Sequence, residues 1–554
     1  MTAAPPTSVA GIAERLVATL DAEQRAAATL PDGPALIIAP AGSGKTTTLI
    51  ARLGVLLARG VAPERIAVAT FNRDAALELT ARIAARVVPS VPAASRIEVR
   101  TLHALARQVL LERGGASNLV SDRLPLLRAV LRRAAVDRPG DAPPLPDAAV
   151  LDTEVSAWKV ERRQPQHPDL VRDYQTLLAA RGVLDFDDLV VGAADVLQAD
   201  FRLRLRWQSR FSHVCVDEFQ DVDAAQLRLV RLLAEPERNL FVVGDDDQTI
   251  YAWRLADVRR ILTFEHTYPG ARRVQLARNY RCPAPVVAVS RALIGVNSER
   301  FAKRIEAAQD AAAGVDAVQA YGTATPGWPE PLVALAGHEA ARGRTTCFLA
   351  RTRSELSPVL LALVRAGQPH HTPVPAPVQA EPVAALVAAA RELPPEIAPF
   401  LALQRLRAGR GWRRADGAEA LSDDDHAALD ALMGWAVGMS RLDVFLAAHD
   451  RAIARLEALR VPDAPIELVT VHGAKGREWQ TVVVLGMEEE RFPNRRALLH
   501  APDPTRAMEE ERRLAYVALT RATRHLILAF DPARPSRFIA EMRLRLPSVR
   551  GGQS

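Results

Sequence analysis

The segment Val243–Arg254 reads VGDDDQTIYAWR and places two chemistries on one short loop. An apolar run, Leu240–Val243, predicts a buried strand that ends at Gly244. Three carboxylates and Gln248 follow, groups suited to a phosphate or to its metal. Tyr251 and Trp253 come within five residues of Gln248, and large aromatics stack on bases. A loop that can sense a terminal phosphate at one end and hold a base at the other fits a motor on nucleic acid. The alternative is an acidic turn ahead of a core aromatic pair.

A phosphate cradle lies far upstream. Pro34–Ile38 predicts a short strand, Ala39–Thr46 reads APAGSGKT, and a helix is expected over Lys45–Arg59 with Gly60 as its cap. Strand, glycine loop and helix in that order are the setting a P-loop requires. The backbone of Ala41, Gly42, Ser43 and Gly44 is expected to wrap the phosphates of ATP, helped by the helix N-terminus, with Thr47 also at the nucleotide. Lys45 would reach the β- and γ-phosphates, and the Thr46 hydroxyl would hold Mg²⁺. A second strand, His213–Val216, ends in DEFQD. Asp217 is placed to bind Mg²⁺, and Glu218 to orient and deprotonate the attacking water. Gln24, upstream of the P-loop, is a candidate for reading an adenine edge with both amide groups; in isolation it is simply a helix glutamine.

A chain of 554 residues is too long for one core, and its 49% apolar and 25% charged content is that of a soluble globular protein. No basic start precedes an apolar run, and uncharged stretches such as Pro382–Ala390 are too short to span a bilayer, so a cytoplasmic, nucleoid-associated protein with no membrane partner is expected. Cys215, Cys282 and Cys347 form no CxxC pair, which argues against a disulfide framework or an iron–sulfur cluster. A net charge of +6 is compatible with a polyanionic partner. Of 71 basic residues only four are lysines: Lys45, Lys159, Lys303 and Lys475. A compact ammonium is not replaceable by a guanidinium fork where space is tight, so a retained lysine hints at a chemical demand.

Taken in order, these segments resemble the UvrD/Rep/PcrA family of superfamily 1 DNA helicases. TFNRDAALELTARI (Thr70–Ile83), TLHAL (Thr101–Leu105), DFDDLV (Asp185–Val190), LARNYRCP (Leu276–Pro283), VTVHGAKGREW (Val469–Trp479) and EEERRLAYVALTRAT (Glu509–Thr523) resemble further motifs of that family. The resemblance implies that Tyr280 stacks on adenine and that Glu478 accepts from the ribose hydroxyl. It also implies that Gln248 senses the γ-phosphate and that Arg281 and Arg521 reach it as arginine fingers. Forked cations on equatorial oxygens suit a phosphoryl-transfer transition state. Phe71, Tyr251 and Trp253 resemble the family's base-stacking residues, and Thr70, Arg73, His103 and His472 stand where it contacts the sugar–phosphate backbone. Two departures concern the DNA contacts: Asp74 stands where a lysine is usual, and Leu255 where a glycine is usual.

The implied fold is α/β, two tandem RecA-like P-loop cores, each with a mainly helical insertion. The expected division is 1–106 with 201–275 as the first core and 107–200 as its insertion. The second core is 276–372 with 464–545, its insertion 373–463, and 546–554 a tail. ATP is expected in the cleft between the cores. Pro139–Pro146 reads as a loop and 373–382 as a Pro-rich linker. The second insertion shows no glycine-rich turn of the kind that grips duplex in this family, which suggests a trimmed motor.

The leading expectation is an ATP- and Mg²⁺-dependent helicase moving 3′ to 5′ on single-stranded DNA and opening 3′-tailed duplex, in repair or replication, as a monomer in solution. One alternative is a translocase, or a helicase–nuclease subunit with an unidentified protein partner, that does not unwind alone. A more distant one is a nucleic-acid-binding regulator with a vestigial ATP site.

Overall fold

The structure is a computed structural model that describes residues 9–115, 118–136, 143–308, 317–325, 327–373, 379–410, 423–499 and 501–544. The expected tail lies outside the described residues, as do parts of the expected loop at 139–146 and linker at 373–382. The chain forms two compact units: Met1–Asn279 with Glu299–Ile305, and Tyr280–Ser298 with Glu306–Ser554. Segment 299–305 thus belongs to the first unit, although the chain on either side of it belongs to the second.

The first unit is built on six strands, β1 (Ala35–Ile38), β2 (Ile66–Thr70), β3 (Glu98–Thr101), β4 (His213–Val216), β5 (Leu240–Gly244) and β6 (Arg272–Gln275). They form one sheet in the order β3-β2-β4-β5-β1-β6, and every pairing is parallel. Both faces are covered, which is why the central strands read as unbroken apolar runs. Leu36 and Ile38 of β1 enter one core with Val214 and Val216 of β4, while Ala35 and Ile37 enter the opposite one with Cys215. Alternation along each strand divides the two cores. Because all strands run the same way, the loops after β1, β2, β3, β4 and β5 emerge along one edge of the sheet, where ligands bind in open parallel sheets. That edge holds the P-loop, Phe71, His103 in the first turn of the helix after β3, Asp217–Glu218 and Asp245–Gln248. Helices Leu124–Val136, Ala148–Glu161 and Pro168–Arg181 pack around a separate small core of Leu127, Leu151, Val155 and Tyr174.

The main sheet of the second unit is built on five strands, β7 (Val318–Gly322), β8 (Thr346–Ala350), β9 (Ile466–Thr470), β10 (Trp479–Val484) and β11 (Ala522–Phe530). Their order is β9-β8-β10-β11-β7, again wholly parallel. Helices Glu381–Ala390, Pro399–Gly409, Asp423–Ala436 and Leu442–Leu459 enclose their own core around Leu386, Leu403, Leu429 and Phe445. The last of them also reaches the sheet's core through Ala452 and Leu456, so one helix belongs to both.

Among the described residues no helix is long and apolar enough to cross a membrane.

Candidate nucleotide and nucleic-acid sites

The P-loop turns on two glycines in the left-handed region, Gly42 (φ 70°) and Gly44 (φ 80°). Such φ values are costly for residues with a Cβ, and at Gly44 a Cβ would also stand 2.5 Å from Gln24 Nε2. Gly44 caps the helix Lys45–Ala58 without a side-chain bond, and no acidic residue sits in the first turn. The positive end of that helix therefore faces the loop unneutralised. The Ser43 hydroxyl is buried and has no hydrogen-bond partner among the described residues. Lys45 Nζ donates to the Ala39 carbonyl (3.3 Å) and stands 3.9 Å from Glu218 Oε1. Thr46 and Thr47, the next two residues of the helix, are half-buried.

Gln24 is held rather than poised. Its Oε1 accepts from Asp21 N (3.2 Å) in a capping box, and its Nε2 donates to the Ser43 carbonyl (3.0 Å). The amide expected to read a base edge here braces the P-loop backbone.

At the end of β4, Asp217 is half-buried and its carboxyl is pushed up to about 7 by desolvation and by neighbouring Glu218, against the pull of Lys45. Glu218 sits in the left-handed region (φ 52°), a conformation that costs a non-glycine residue on the order of 1–2 kcal/mol. Gln220, which the sequence reading left unassigned, donates from Nε2 to Glu218 Oε2 and accepts at Oε1 from Asp245 N (2.9 Å). It ties the loop after β4 to the loop after β5.

The three carboxylates after β5 are not free for a phosphate's metal, contrary to the sequence reading. All are fully buried, and Lys303 lies among them with none of its side chain exposed. Its ammonium hydrogen-bonds to Asp245 Oδ1 and to Asp246 Oδ1 (2.6 Å), and stands 2.9 Å from Asp247 Oδ2. Arg300 grips Asp247 with two donors, at 2.9 and 2.7 Å. Gln248 is buried, and its Nε2 donates to Asp245 Oδ2 (2.7 Å).

Past Gln248 the loop becomes aromatic. Tyr251 stacks on Phe71 with ring centroids 4.7 Å apart and meets Trp253 edge-on at 6.2 Å. Trp253 is 57% exposed, with the Arg254 guanidinium 4.8 Å from its centroid. Leu255 closes the turn with φ 64°, a left-handed position that explains why glycine suits it better. Arg73 is exposed at the start of its helix, whereas Thr70 is buried and spends its hydroxyl on the Asn72 carbonyl (3.1 Å). His103, its imidazole pKa lowered by burial, meets Phe186 edge-on at 5.6 Å. Phe186 is 43% exposed, an aromatic that only its position beside His103 singles out.

In the second unit, Arg281 Nε donates to Glu478 Oε2 (2.6 Å) and its Nη1 to the Thr520 carbonyl (3.3 Å). Arg521 is buried, donating from Nε to the Val517 carbonyl (3.0 Å) and from Nη1 to the Arg477 carbonyl (3.2 Å). Trp479 N donates to the Arg521 carbonyl (3.0 Å), so Glu478 and Arg521 flank the starts of adjacent strands β10 and β11. Tyr280 is 43% exposed. The helix Pro504–Leu519 is not a surface helix: Arg513 pairs with Glu509 at 3.3 Å with both buried. His472 follows the opposite, carboxyl end of β9, its imidazole pushed down to about 4 by burial and by Arg351 and Lys475.

Residues 20–134 and 146–269 match the family model described as UvrD/REP helicase N-terminal domain, and 447–531 match that of the UvrD-like helicase C-terminal domain. The ATP-dependent DNA helicase UvrD2 of Mycobacterium tuberculosis is 30% identical over 95% of this chain and 81% of its own length. The chain belongs to the UvrD/Rep family of ATP-dependent DNA helicases. The PcrA helicase of Leuconostoc citreum is 28% identical over 96% of this chain and 85% of its own. For a member of the UvrD/Rep family the first unit's loops fit a nucleoside triphosphate. An uncapped helix end and an orphaned Ser43 hydroxyl await acceptors, and the raised Asp217 carboxyl would gain from a divalent cation.

Proposed function

We propose that this UvrD/Rep-type chain couples ATP hydrolysis to 3′-to-5′ movement on single-stranded DNA and to opening of 3′-tailed duplex. The observation that carries the reading is the single loop after β5, where Gln248 is followed within five residues by Tyr251 and Trp253, with Tyr251 stacked on Phe71 from the loop after β2. A change at the phosphate end of so short a loop is passed to the base-stacking end.

In this reading Lys45 and the backbone of Ala41–Gly44 hold the phosphates, Glu218 orients the attacking water and takes its proton, and Gln248 senses the γ-phosphate. Bound Mg²⁺ would supply positive charge to the phosphates, and Thr46 and Asp217 are the residues to hold it. Arg281 exchanges Glu478 for the γ-phosphate, Arg521 adds a second fork, and Tyr280 stacks on the adenine. His103, His472 and Arg73 contact the backbone of the strand, with Phe186 as a further stacking surface. The polarity is what the family resemblance implies. Service in DNA repair or replication, action as a monomer and a place at the nucleoid complete the reading.

A second reading, a translocase that does not open duplex unaided, is favoured by one comparison. The alignment with the Leuconostoc PcrA helicase spans 649 positions, more than the 554 residues of this chain. That relative therefore carries internal segments with no counterpart here. Strand displacement on matched 3′-tailed and 5′-tailed duplexes, with DNA-stimulated ATPase in the same reactions, separates the two. Displacement of the 3′-tailed substrate alone supports the first reading, and stimulated hydrolysis without displacement supports the second.

A further inference from the structure

The acidic run after β5 raises a question of its own: why three adjacent carboxylates are fully buried at a site that handles a polyanion. An uncompensated buried carboxylate is costly, so each needs a partner. The partners come from one short segment. Lys303 touches Asp245, Asp246 and Asp247, Arg300 takes both oxygens of Asp247, and Phe301 N donates to Asp246 Oδ2 (2.9 Å). An ammonium offers three donors on a compact head, and three carboxylates surround it. A guanidinium is flat and larger, so this chain keeps one of its four lysines at a point where nothing is exposed.

Asp245 matters most among the three. Its Oδ1 faces Lys303 while its Oδ2 accepts from Gln248 Nε2, so one carboxylate binds the cation and the amide on opposite oxygens. Its backbone N–H reaches Gln220, whose own amide holds Glu218. We propose that Lys303 is a positioning residue for the hydrolytic site: by fixing the Asp245 carboxylate it sets the orientation of the Gln248 amide. The proposal rests on the reading of Gln248 as the γ-phosphate sensor. Lys303 touches neither nucleotide nor DNA in it, and neither does Arg300, which holds Asp247 alone.

A double-mutant cycle on full-length protein tests this, with steady-state ATPase on saturating single-stranded DNA and binding of a fluorescent ATP analogue as readouts. Lys303→Met is expected to lower kcat by about tenfold or more while ATP affinity stays within about threefold. In a Gln248→Ala background the same change should lower kcat little further, because the group that Lys303 orients is already gone. A residue of merely structural importance would instead multiply its loss on top of that of Gln248→Ala. Should Lys303→Met fail to fold, Lys303→Met with Asp246→Asn removes one charge of each sign and takes its place in the cycle. Unchanged kcat in either form, or multiplicative losses, would overturn the proposal. If Gln248→Ala by itself hydrolyses ATP at the full rate, the reading of Gln248 fails first, and that failure shows before Lys303 is touched.

Discussion

Two acidic clusters stand at the ends of neighbouring strands, and they differ in the cations that face them. Asp217 and Glu218, after β4, are faced by the Lys45 ammonium, which stands 3.9 Å from Glu218 Oε1. Asp245, Asp246 and Asp247, after β5, are gripped by Lys303 and Arg300. Burial and neighbouring Glu218 raise Asp217 to about 7, and the pull of Lys45 does not reverse it. Burial acts on Asp245 as well, yet Lys303 holds that carboxyl below its ordinary value. The first cluster is left in electrostatic need of a cation, while the second has been supplied from within the chain. Carboxylates thus become chemistry or scaffold according to residues far away in sequence.

Removing the open cluster's groups should have the largest effect. Lys45→Ala and Glu218→Gln are each expected to lower ATP turnover by about 10²–10⁴-fold, with Glu218→Gln still binding ATP in a fluorescent-nucleotide titration. Full turnover in either variant would make the two clusters equivalent again.

Cutting the link between the clusters should come next. A Cβ at Gly244 would lie 2.7 Å from Gln220 Oε1 and 2.8 Å from Ile261 Cδ1. Gly244→Ala is therefore expected to displace Gln220, to cost about 1–3 kcal/mol in thermal or urea unfolding, and to lower kcat more than ATP affinity. Wild-type kcat would show that Gln220 carries no information between the loops.

At the far end of the second loop, Trp253→Ala should separate hydrolysis from work. A lost stack is worth about 1–3 kcal/mol per base, so strand displacement should fall about tenfold while most DNA-stimulated hydrolysis remains. Equal loss of both would make Trp253 a structural residue.

The smallest effect concerns pH. Asp217 has its folded-state carboxyl raised, so its protonated form stabilises the nucleotide-free fold at low pH, and that contribution is lost as pH rises through about 7. Asp217→Asn removes the loss. Its melting temperature should pull ahead of the wild type's between about pH 5 and about pH 8, and added Mg²⁺ should narrow the gap. A constant difference across that range would contradict the raised carboxyl.

Much of this was legible in the sequence, because the loops that matter announce themselves at the ends of apolar strands. APAGSGKT after Ile38, DEFQD after Val216 and DDDQ after Gly244 each sit where a parallel sheet must present them. The aromatic array was legible too, since Tyr251 and Trp253 lie beyond polar residues in a chain poor in aromatics. The partners of these groups were not. Nothing in a local window tells that Lys303 reaches back to Asp245, that Gln220 bridges two loops, or that Gln24 braces Ser43. Thr70 resembles a DNA contact by its place in a motif, yet its hydroxyl turns inward to Asn72. Arg281 and Glu478 carry separate expected duties but hold each other in this structure. Long-range pairing of charges is a tertiary property, and periodicity and motif spacing are silent about it.

The difference between the clusters is tested most directly by comparing Glu218→Gln with Asp246→Asn in ATP turnover at saturating ATP and single-stranded DNA. Both changes replace one carboxylate by an amide, at adjacent strand ends of one sheet. Turnover should vanish in Glu218→Gln and stay within a few-fold of wild type in Asp246→Asn, whose neighbours still hold Lys303. Turnover lost alike in both, with ATP binding intact, would mean that the second cluster also takes part in the chemistry and would contradict the account.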